Sequence, residues 1–97
     1  MVVFSNPASP EVEDEYNRWY DEDHLPLVRS APGVVGATRY RLDGDPRHAP
    51  EHRYLAVYEI DGPVQDALSH IRSVRDPAPA LDAAGTRVTF WTPLDPA

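Results

Sequence analysis

Apolar and polar positions along this chain follow two different periods. Residues 2–5, "VVFS", form a short β-branched and aromatic run of strand character. The period then lengthens. Val12, Tyr16, Trp19, Tyr20, Asp23 and Leu27 recur at spacings of three and four, the stripe of an amphipathic helix. Ser9 suits the N-cap of that helix and Pro10 its first position. Glu11, Glu13 and Asp14 put negative charge at the positive end of its dipole. Pro26 disfavours helical backbone at Leu25 and clashes with the carbonyl four residues back, so the helix is expected to end or kink near His24. After an "APG" turn (31–33), strand character returns over 34–42 and again over 53–60, on either side of a polar loop with two prolines. Val64, Ala67, Leu68, Ile71 and Val74 define a second amphipathic helix. Residues 75–85 read as irregular, and "RVTFWTPL" (87–94) as a last strand.

The resulting order is β-α-β-β-α-β, the ferredoxin-like split βαβ plan, an α+β fold with two helices on one face of an antiparallel sheet. The chain has 97 residues, enough for one domain. Strand 53–60 places Tyr54, Ala56, Tyr58 and Ile60 on one face and Leu55 and Val57 on the other. Helices cover one face of such a sheet, and the other should turn polar. Because both faces are apolar here, the same face of a second copy is the economical cover, and a homodimer packed sheet to sheet is expected.

Charge and composition narrow the partners. The formal net charge is −7, with 9 Lys+Arg against 16 Asp+Glu, and every basic residue is an arginine. No basic patch is apparent, which argues against nucleic acid or an anionic membrane surface as partner. There is no cysteine, so disulfides, thiolate nucleophiles and cysteine-based metal sites are excluded. "MVVFSNP" has neither the charged start nor the apolar run of a secretion signal, and no apolar stretch approaches membrane-spanning length. A cytoplasmic location is the default expectation.

The run "WYDEDHLPLVRSAPGVVGATRYR" (19–41) joins an aromatic pair, an acidic residue before a histidine, His-Leu-Pro, a Pro-Gly turn and an Arg-Tyr in the next strand. With the element order and "YLAVYEID" (54–61), it resembles the EthD-like branch of the dimeric α+β barrel proteins. The resemblance covers the first three strands well and the second helix and last strand weakly. It implies a small-molecule site between helices and sheet, and reactions without metal or organic cofactor. Such reactions include polyketide cyclisation, lactone isomerisation, dehydration or decarboxylation of aromatic precursors, and cofactor-free oxygenation of phenols.

The candidate chemistry centres on "NRWYDEDHLP" (17–26). His24 stands at the expected helix end, where carbonyls favour a cation, and histidine is the usual acid–base group near neutral pH. It reads as a proton-transfer residue or as a cap that completes the helix. Asp23 falls near the centre of the apolar stripe. It either points into a pocket as base or orienting group, or turns outward where the helix frays, since a buried carboxylate needs partners. Tyr20 lies one turn before His24 and could share its hydrogen bonds. Arg39 could steady an enolate or phenolate if its strand face meets the helices, or else serve an interface. Trp19, Tyr40, Tyr58 and Trp91 are candidates for an apolar substrate wall, with packing as the alternative. His48 and His52 read as exposed, and His70 as a weak second candidate. The histidine and carboxylate spacings match no metal motif, and no phosphate loop or nucleophile elbow occurs. The expectation is a small cofactor-independent enzyme acting by acid–base chemistry on an aromatic or polyketide-like intermediate. A non-catalytic ligand-binding or accessory dimer, and a cofactor-free oxygenase of phenols, are the alternatives.

Overall fold

The computed structural model describes residues 1–44 and 51–94. In chain order the elements are β1 (Val2–Ser5), α1 (Glu13–Trp19), α2 (Leu25–Arg29), β2 (Val34–Arg41), β3 (Tyr54–Ile60), α3 (Val64–Ser73) and β4 (Arg87–Thr89). A 3-10 turn (Pro10–Val12) leads into α1, and a π-helical turn (Tyr20–His24) joins α1 to α2. His48 lies outside the described residues.

The first helix does not stop near His24. It runs on through the π turn to Arg29, and the Leu25 amide bonds the Tyr20 carbonyl five residues back. The extra residue in this turn accommodates Pro26, which has no amide to donate and would clash with the Glu22 carbonyl in a regular helix. A regular helix advances about 100° per residue, so one extra residue turns everything after it back by that amount. His24 therefore takes the inward place that a constant wheel gives to Asp23.

The four strands form one antiparallel sheet in the order β2-β3-β1-β4. Its registers pair Val3 with Ala56 and Val88, and Ala56 with Arg39, so these four side chains share the face toward the helices. Tyr16, Trp19, Tyr20 and Val28 pack there against Val3, Tyr54, Ala56 and Tyr58. Edge-to-face rings tie the layer together, with Tyr16–Tyr20 centroids 5.6 Å apart and Trp19–Tyr20 centroids 5.2 Å apart. Each such pair adds about 1 kcal/mol beyond its burial.

β4 is shorter than the expected 87–94. Thr89 already faces Val2, so β1 has almost no further residues to pair, and Pro93 could not donate to a ladder in any case.

The barrel expectation is overturned. β2 and β4 are the two free edges of an open sheet and do not meet. Four strands about 4.8 Å apart hold those edges about 14 Å from each other, and so short a sheet cannot close on itself. The architecture is an α+β fold with a four-stranded antiparallel sheet and two helices, without the barrel that the EthD-like resemblance implies. Among the described residues, no helix is long and apolar enough to cross a membrane.

Candidate functional site

His24 projects from the π turn toward the sheet, stacked on Trp19 at 4.7 Å with 24° between the rings and edge-on to Tyr20 at 5.1 Å. Its Nδ1 lies 2.6 Å from Oδ2 of Asp76. The other carboxylate oxygen, Oδ1, accepts the Trp19 indole N–H at 3.0 Å. Asp76 follows α3 in the irregular segment, 52 residues from His24, and one carboxylate thus fixes two aromatic rings of the first helix. Against a carboxylate Nδ1 is the donor, and whenever the ring is neutral Nε2 is its acceptor. The side chains of His24 and Asp76 are 21% and 17% exposed, so the pair is screened from water without being sealed from it.

Behind this pair lies a cavity of about 210 Å³ between helices and sheet, with His24, Trp19, Tyr20, Tyr58, Leu68 and Ile71 among its lining. An apolar cavity of about 150 Å³ takes a benzene ring, so this one has room for a single substituted ring. Tyr58 is 1% exposed, and its hydroxyl has no hydrogen-bond partner among the described residues. Burial pushes the Tyr58 phenol well above its ordinary range, and it raises that of Tyr20 as well. Both hydroxyls therefore stay protonated near neutral pH. Tyr16, bonded to Ser5 Oγ at 2.6 Å, is likewise pushed up by burial, to about 12.

No family model, curated protein or solved structure matches the chain.

Arg39 does face the helices, yet it does not line this cavity. Its guanidinium lies 4.4 Å from the Tyr20 ring centroid, with the Tyr16 and Tyr54 rings at 5.6 and 5.5 Å. It donates to Asp21 at 2.7 Å and to Asn17 at 2.8 Å. Arg39 thus clamps the outer side of the tyrosine cluster, with Asp21 as its ion-pair partner.

Asp23 is exposed, turned outward by the added residue in the π turn and not by fraying. Tyr40 and Trp91, 52% and 69% exposed, lie away from the cavity. Tyr40 faces Leu55 on the outer side of the sheet, and Trp91 donates to Thr89, the partner of Val2 on that same side. His52 is half-buried, not exposed; its Nε2 donates to the Gly85 carbonyl at 2.6 Å. Among the described residues, the His70 ring meets Ser30 Oγ at 3.3 Å on the surface. Among the described residues, no three histidine or carboxylate side chains gather as a metal set.

Of the residues singled out from sequence, the structure brings together His24, Tyr20, Trp19 and Tyr58. Asp76, and not Asp23, is the carboxylate that bonds His24. Sequence reasoning missed it because it sits in a segment without periodicity, and only the chain's return over the helix places it there.

Proposed function

We propose that the chain is a small acid–base enzyme that moves a proton on a small aromatic or polyketide-like molecule bound between helices and sheet. The observation that carries this reading is the 2.6 Å contact between His24 Nδ1 and Asp76 at the wall of the cavity. Asp76 would hold the imidazole in one tautomer and orientation. Nε2 would take a proton from a carbon next to a carbonyl, and the resulting imidazolium would stand beside the carboxylate. Return of the proton to another carbon completes an isomerisation. Attack of the enolate carbon on a second carbonyl of the same molecule closes a ring, and the proton then goes to the new alkoxide oxygen. Delivery of the proton to a leaving hydroxyl completes a dehydration. Each outcome balances with no added redox partner.

The same contacts favour a second reading. Asp76 bonds both Trp19 and His24, and so also braces the segment after α3 against the first helix. In that case the chain is a binding or accessory module. Proton–deuterium exchange at carbon, followed by NMR for a panel of single-ring ketones and phenols in D₂O, tests the proposal. The wild type should exceed free imidazole at equal concentration, and His24→Gln should lose about 10²–10⁴-fold. Exchange no faster than imidazole, or a His24→Gln variant that changes only the melting temperature, would leave His24 as a brace.

Self-association belongs to the proposal. Val2, Phe4, Leu55 and Val57 share the sheet face opposite the helices, with Tyr40 exposed beside them. A second copy packed on this face would bury it. A cytoplasmic setting accords with a sequence that holds no cysteine.

A further inference from the structure

We infer that Leu68 and Ile71 are the specificity-determining residues of the cavity behind His24, and that they hold its ligand to one ring. The inference rests on the site proposed above and names the size class of its substrate.

The first argument is which walls are fixed. Val3, Trp19, Tyr20, Val28 and Tyr58 border the cavity, and each is at most 9% exposed. They belong to the core on which the fold depends, and in a close-packed core none changes size without disturbing its neighbours. The wall from α3 is different. That helix buries only Ala67, while Leu68 and Ile71, one turn apart, border the cavity half-buried. Their volume decides how far the cavity reaches, and it is the part of the wall that varies with the core left intact.

The second argument is room. If about 150 Å³ takes the six carbons of benzene, the ten of a naphthalene skeleton call for about 250 Å³ on the same scale. The cavity holds about 210 Å³. Truncating Leu68 or Ile71 to alanine removes three carbons, which frees about 75 Å³ on that scale and brings the fused pair within reach. Val88 borders the cavity from β4 and is 51% exposed, so the cavity meets solvent on that side. A second ring pushed out past Val88 stays in water and adds no burial.

Phenol and 2-naphthol, both uncharged at neutral pH, make the test. Their dissociation constants are taken from NMR shifts of the His24 ring protons, which report this cavity. Wild type should bind 2-naphthol no tighter than phenol, although the larger molecule has more apolar surface to bury. Leu68→Ala and Ile71→Ala should each bind 2-naphthol about tenfold tighter than wild type does, and phenol no tighter. Val64→Ala shortens a half-buried side chain of the same helix that does not border the cavity, and it should match wild type on both compounds. Leu68→Phe fills the space instead and should weaken phenol about tenfold, which keeps the test open if a truncation fails to fold. A wild type that prefers 2-naphthol, or whose His24 protons respond to neither compound, overturns the inference without any variant. So does a Val64→Ala variant that gains as much as the other two, or a Leu68→Phe variant that binds phenol unchanged. A truncation that brings no gain removes its residue from the assignment. Binding is measured without turnover. Ring selection without proton exchange ends the acid–base reading and leaves Leu68 and Ile71 in place. Proton exchange by wild type, with ring preference unmoved in both truncations, ends this inference and leaves that reading in place.

Discussion

Gly33 links α2 to β2 with φ of +83°, and its carbonyl accepts the Asp61 amide at 2.6 Å. A β-carbon there would collide with the Asp61 carbonyl. Gly33→Ala should therefore lower stability by about 2–3 kcal/mol, combining left-handed strain with a backbone clash. The check is the urea midpoint; an unchanged midpoint would mean the turn can relax freely. Individual residues were unevenly legible. The "APG" run announced a turn, and Gly33 sits in it because only glycine tolerates that backbone so close to another strand. His24 could be marked as a candidate from its type and place. Its partner Asp76 could not, because a pairing across 52 residues leaves no trace in local pattern.

Between elements, Tyr54 on β3 donates its hydroxyl to Glu13 on α1, and accepts from Asn17 of the same helix at 3.2 Å. The hydrogen bond from Tyr54 is the main reason the Glu13 carboxyl is held below its usual range. A carboxylate depressed in the folded state stabilises the fold above the unfolded pKa of about 4.3, and this stabilisation is lost as pH falls through the lower folded value. Tyr54→Phe should cost about 1 kcal/mol at pH 7, and the gap to wild type should narrow as Glu13 protonates. Denaturant titrations between pH 7 and pH 3 measure it; a gap that stays constant would assign the loss to packing. The same helix shows where element-level reading fails. A helical wheel assumes one rotation per residue, and Pro26 forces a wide turn that breaks the assumption between Tyr20 and His24. Its signature was present, since Tyr16, Tyr20, His24 and Val28 recur at intervals of four, but a proline at position 26 reads more simply as a stop.

For the molecule as a whole, the face opposite the helices remains to be covered. Leu55 and Val57 occupy the middle of that face on β3, an interior strand of the sheet. If two copies pack there, sedimentation should give a dimer for wild type and a monomer for Val57→Glu, with both retaining the far-ultraviolet spectrum of the folded chain. A wild type that stays monomeric at about 100 µM, a concentration at which a standard-sized interface should hold, would remove the homodimer from the proposal.

The order of strands and helices was decided by the sequence itself, because a period of two and a period near 3.6 are local properties of which side chains can be buried together. So was the presence of an acid–base candidate among aromatics. Tertiary structure alone decided the rest. It left the sheet open, since closure depends on whether distant edges can meet. It put Arg39 behind Tyr20 and Tyr40 on the outer face, a choice that hangs on register with β3. It also brought Asp76 to His24 and sealed the Tyr58 hydroxyl beneath the helices, because both follow from how separate segments pack and neither from what stands next to what in the chain.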